Sequence, residues 1–231
     1  MFEAVDLYCE RLGPGFWAEP VNALTNASFM VGAWFAWLRA KSSDVMAPTV
    51  WALLGLMCAI GLGSFSFHTF ANKLTQFWDV LPILLFQLVY LWLYLREIAE
   101  IRAVFTGIMV LAYLVTAMFW MQFPHILNGS LIYTPAIIVL FGLGIYHAAS
   151  RQQGRFLVLN AALVFVVSLT FRTLDGVICP FFPLGTHFLW HLLNGLVLYL
   201  LIIGLLAKYH GSSENAREIN QRGNGFRKPP N

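Results

Sequence analysis

The chain has 231 residues, of which 59% are hydrophobic and 11% charged, with a mean hydropathy of +0.70 and a formal net charge of +3. A soluble domain carries roughly 25% charged residues, so this composition excludes one and points to an integral membrane protein. The small positive charge is too thinly spread for nucleic-acid binding and reads instead as membrane topology.

The first twenty residues carry Glu3, Asp6, Glu10 and Glu19 and two prolines. A basic start followed by an apolar run is missing, so a cleaved signal peptide is not expected. Seven apolar stretches then follow, at 20–39, 48–68, 75–95, 102–122, 130–148, 156–173 and 186–206. Each is about 18 to 21 residues long, the length a helix needs to cross a hydrocarbon core of about 30 Å. The expected fold is therefore all-α: a seven-transmembrane-helix bundle forming one domain over residues 1–207. From 208 onward the sequence KYHGSSENAREINQRGNGFRKPPN loses every long apolar run and reads as a mobile cytoplasmic tail over 208–231. No repeat or inverted pair of broken helices is evident, which argues against a transporter.

Of the 14 basic residues, 11 fall in the first, third and fifth loops and the tail, including Arg39, Lys41, Arg96, Arg102, Arg151, Arg155 and Lys208. Basic loops stay in the cytoplasm, so the N-terminus is expected outside it and the C-terminus within. The compact loops suit a bacterial inner membrane. Seven tryptophans in or near the stretches read as interface anchors or packing residues, and Pro135 as a kink or first-turn residue.

Polar groups within apolar stretches are costly and so carry the information about function. The second stretch ends GSFSFHTF, placing Ser64 one turn before His68; the third opens QFWDVLP with Asp79; the seventh opens THFLWHLLNG with His187 and His191. Residues four apart share a helix face, and all five groups fall near the non-cytoplasmic side. Two readings fit: a His68/His187/His191 metal site with a position open for water, or a hydrogen-bonded polar plug that specifies helix packing. His125, His147 and His210 have no partner at ligand spacing.

The amino-terminal acids Asp6, Glu10 and Glu19, with Asn22 and Asn26, form a second constellation of oxygen donors. It fits either a Ca²⁺ site or a solvated acidic leader with a glutamate favoured at a helix start. Cys58 reads as a buried packing residue. Cys9 and Cys179 share the non-cytoplasmic side, where they could pair.

The blocks DLYCERLGPGFWAEPVNALTN, GSFSFHTFANKLTQFWDVLP, FRTLDGVIC and HFLWHLLNGLVLYL, in this order, resemble the alkaline ceramidase family. That family lies within a wider superfamily of seven-span membrane hydrolases that takes in adiponectin-receptor and GPI-remodelling proteins. The resemblance implies a zinc-dependent intramembrane amidase that hydrolyses the N-acyl bond of a ceramide-like membrane lipid. By the same resemblance, His68, His187 and His191 match the zinc ligands, Asp79 the catalytic aspartate and Ser64 the serine beside the metal. Asp6, Glu10 and Glu19 correspond to the amino-terminal calcium-binding region, and Cys9 and Cys179 to a disulfide pair. The amino-terminal segment departs from the family: Asp6 stands one residue further from Cys9 than in the family's Asp-Trp-Cys-Glu run, and no Asn follows Glu10 at the family spacing. A lipid-binding receptor of seven spans and a lipid esterase are the competing readings. Short inner loops offer little surface to a signalling partner.

Overall fold

The computed structural model describes residues 3–42, 47–151 and 153–225, with side chains described as far as residue 207. Eight α-helices run through these residues: α1 (Pro20–Thr25), α2 (Ala27–Ser42), α3 (Pro48–Phe70), α4 (Lys73–Leu93), α5 (Ala103–Trp120), α6 (Thr134–Ala149), α7 (Leu157–Ile178) and α8 (His187–Gly225). Pairing of β type among the described residues is confined to one isolated bridge, between Ala4 and Asn72. Prolines open α1, α3 and α6, where the missing N–H would have had no helical partner. Pro135 is thus a first-turn residue. α4 starts at a capping box in which Asn72 Oδ1 accepts from the Leu74 and Thr75 amides while Thr75 Oγ1 accepts from Asn72 N. α4 runs on through a π-helical turn, Tyr94–Ile98.

Six helical segments are long and apolar enough to cross a membrane: Pro48–Phe70, Lys73–Ile98, Ala103–Trp120, Ile126–Ala149, Leu157–Ile178 and His187–Ala207. They are consistent with an integral multi-pass membrane protein. The seventh expected stretch, 20–39, is divided into α1 and α2 at Asn26, and neither piece alone has the required length. The division is a tightened turn in which Asn26 N bonds Ala23 O at 3.3 Å. The cytoplasmic tail proposed for 208–231 lies outside the residues whose side chains are described, and 226–231 outside the described residues altogether.

The outer surface is apolar: Val104, Ile108, Leu111 and Val115 on α5 are all more than half exposed. Such a surface would drive aggregation in water but is suited to lipid, since each helix satisfies its own backbone groups. Inside, α8 packs against α2 and α7, and α3 against α4, around a core that includes Met57, Phe86, Phe165 and Leu201.

An amino-terminal strap closes the end where α3, α4 and α8 present their polar residues. Val5 N donates to Ala71 O at 2.8 Å and Lys73 N to Glu3 O at 3.2 Å, while Lys73 and Glu3 form an ion pair. Further along, Cys9 is disulfide-bonded to Cys179 at the end of α7, with Cα atoms 5.3 Å apart. Cys58 is a free, half-buried thiol.

Candidate metal centre

His68 lies in the last turn of α3, and His187 and His191 in the first two turns of α8. All three are buried, with exposures of 0%, 2% and 1%. One ligand nitrogen from each lies within 4.8 Å of the others. The His68 Nε2, His187 Nδ1 and His191 Nε2 atoms are also buried without any hydrogen-bond partner. Three orphaned nitrogens so close together are expensive in a dry interior, and a metal ion would satisfy all of them.

The remaining ring nitrogens explain why these lone pairs are free. His68 Nδ1 is 2.5 Å from Glu19 Oε2, and His191 Nδ1 is 3.0 Å from Thr25 Oγ1. The Thr25 hydroxyl gives its own proton to Val21 O, at 2.7 Å, so it accepts from the imidazole. A carboxylate likewise accepts. Both Nδ1 atoms therefore carry hydrogen, and both Nε2 atoms keep a lone pair for a metal. Burial pushes the Glu19 carboxyl up, but the hydrogen bonds and charges of His68 and Arg11 outweigh it and hold the group below its ordinary value. Glu19 thus remains an acceptor.

The third histidine is placed by a different device. Asp175, fully buried in α7, accepts from Thr186 N at 2.6 Å and His187 N at 2.9 Å through Oδ1, capping α8 at its first turn. Its Oδ2 takes Cys9 N at 3.0 Å, tying the strap to the same carboxylate. Tyr8 of the strap stacks on the His187 ring, with centroids 3.6 Å apart and planes inclined by 17°. Burial pushes the Tyr8 phenol well above its ordinary value, so it stays a neutral donor.

Ser64 and Asp79 meet across the α3–α4 hairpin. A Cβ at Gly63 would stand 2.1 Å from Trp78 O, so only glycine permits this closeness of the two helices. Buried Ser64 and half-buried Asp79 line one cavity, shared with Tyr8, Arg172 and His187. Arg172 donates to Asn128 O and Ser130 Oγ and lies over the Tyr133 and Trp190 rings. Two apolar spaces adjoin this cavity. One runs between Phe86, Leu140, Phe165 and Leu201; the other opens between Phe77, Leu84, Met118 and Ile132.

The amino-terminal acids do not gather into a metal-ligating group among the described residues. Asp6 is exposed. Glu10 is buried and takes the Val21 and Asn22 amides at 2.7 and 2.8 Å, capping α1. Glu19 is committed to Arg11, His68 and Asn22. Tyr8, Arg11, Thr25, Arg172 and Asp175 are not legible as site residues in the sequence. Each acts through a partner distant in the chain, which periodicity cannot reveal. His147 is occupied elsewhere, by the Tyr94 hydroxyl at 2.9 Å.

A family model described as Ceramidase matches residues 9–224. Comparison with curated proteins finds no match.

Proposed function

The chain belongs to the ceramidase family, enzymes that hydrolyse ceramides at an amide bond, and from that premise we propose a zinc-dependent intramembrane amidase. It cleaves the N-acyl bond of ceramide-like lipids to a fatty acid and a long-chain amino alcohol. The observation that carries the metal reading is the trio of orphaned, buried nitrogens on His68, His187 and His191. Three neutral imidazoles with room for a fourth ligand suit zinc. When bound there, zinc lowers the pKa of a water to roughly 7 and polarises a carbonyl as a Lewis acid.

The chain's own residues supply the rest. Asp79 takes a proton from the attacking water and delivers it to the amide nitrogen, which must be protonated to leave as an amine. Ser64 donates to the carbonyl oxygen as it becomes negative, a contribution of about 3 kcal/mol in comparable sites. Arg172 lines the same cavity as Asp79 and brings a positive charge to it. The two adjoining apolar spaces match a substrate with two hydrocarbon chains. Basic-residue placement supports a site opening on the non-cytoplasmic side.

Zinc content and hydrolysis of a fluorescent ceramide, measured on one detergent-purified preparation, test the reading. Wild type is expected to carry one zinc per chain, and Asp79→Asn to keep it while losing most turnover, because the amide cannot accept the proton. Near-wild-type turnover by Asp79→Asn at full zinc occupancy removes Asp79 from the catalytic role. Zinc-free protein with full activity overturns the metal reading, and preference for an ester analogue would assign the same site to lipid ester hydrolysis.

A further inference from the structure

We infer that the Arg11 guanidinium is a built-in cation that replaces calcium in the amino-terminal segment, fixing His68 from two sides without a bound ion. Calcium requires six to eight oxygens at about 2.3–2.6 Å. Here the acidic oxygens that the resemblance assigns to it are otherwise engaged. Both oxygens of Glu10 receive amide hydrogens, Asp6 faces outward, and Glu19 is taken by Arg11 Nε at 2.5 Å through Oε1 and by His68 and Asn22 through Oε2.

The donors around Arg11 are of the kind calcium uses. Its three nitrogens meet a carboxylate oxygen and two main-chain carbonyls: Glu19 Oε1, Gly13 O at 3.1 Å and His68 O at 3.0 Å. Arg11 is only 8% exposed, and its charge is opposed by Glu19, which is 2% exposed. A dication beside it would be a second buried positive charge with no further free carboxylate to balance it. The nearby Asn22 and Asn26 side-chain oxygens, buried without partners, are neutral and too few to hold one.

The arrangement makes Arg11 a positioning residue. His68 O lies in the last turn of α3, where a helical amide partner is lacking; the Asn72 amide is turned to Thr75 Oγ1 instead. Arg11 Nη2 fills that vacancy and suits the negative end of the helix. Its Nε fixes the carboxylate that orients the same residue's ring. One guanidinium therefore holds both the backbone of His68 and its imidazole partner.

Purified protein equilibrated with millimolar calcium chloride, then assayed for calcium and zinc on one sample, tests the replacement. The expected result is no stoichiometric calcium and a melting temperature unaffected by calcium, since a ligand of the native state alone would raise it. One calcium per chain, or a calcium-dependent rise, overturns the inference. Arg11→Gln should weaken zinc binding by about 10-fold, with Arg11→Lys recovering part of the loss, as for a disrupted support of a ligand. Unchanged zinc affinity in Arg11→Gln overturns the positioning role. That role rests on the zinc reading whereas the calcium count does not, so absent zinc in wild type fails the proposed function and bound calcium fails this inference. Should Arg11→Gln not fold, the wild-type calcium count still decides.

Discussion

Fixing one nitrogen of an imidazole decides what the other can do. Glu19 and Thr25 do this for His68 and His191, one with a charge and one without. Glu19→Gln should therefore weaken zinc binding by about 10- to 100-fold, and Thr25→Val by less, since a charge-assisted bond is roughly twice as strong as a neutral one. Competition against a calibrated chelator measures both; equal losses would mean that charge is not what Glu19 contributes. His187→Ala or His191→Ala should abolish amidase activity and deplete zinc while leaving helicity by circular dichroism intact, and full metal content in either variant would reject the ligand assignment. The cluster was legible in the sequence because His187 and His191 repeat at helical spacing and His68 ends a neighbouring apolar run. Glu19 was not legible as a partner of His68, 49 residues away, because its neighbours already explained it as an acid favoured at a helix start.

Between elements, two glycines set the register of the site. Gly63→Ala must push α3 from α4, because the new methyl meets Trp78 O. Turnover is expected to fall at least 10-fold as Ser64 and Asp79 separate, with a lowered melting temperature from overpacking of about 1–3 kcal/mol. Unaltered kcat would show that the hairpin has slack. Gly185 adopts φ +63°, and a Cβ there would meet Asp175 Oδ1 at 2.1 Å. Gly185→Ala should thus release the cap that holds His187, weakening zinc retention without touching a ligand; retention equal to wild type would contradict that coupling. Six of the apolar stretches correspond to long helices because length and hydropathy suffice to define a span. The break at Asn26 was not legible, since a single tightened turn leaves composition unchanged. Nor was the π-helical continuation of α4 to Ile98, which begins among residues as apolar as those before it.

For the whole molecule, orientation depends on whether α1 and α2 together cross the membrane, since six crossings would leave both ends on one side and seven would separate them. The basic loops favour seven, and the Cys9–Cys179 bond favours an oxidising compartment at the histidine end. A cysteine introduced at residue 3 should react with an impermeant reagent on intact cells, and one at residue 220 only after permeabilisation; the reverse pattern would invert the topology. That same disulfide joins positions 170 residues apart, and the histidine cluster likewise draws on α3 and α8. During synthesis the unpartnered Nε2 of His68 must consequently wait until α8 has left the ribosome, whereas Glu19 and the strap find their partners earlier in the chain. A nascent chain arrested after α7 would lack two of the three histidines. Metal capture at this cluster would thereby report completed biogenesis, open only to a chain with its full set of helices.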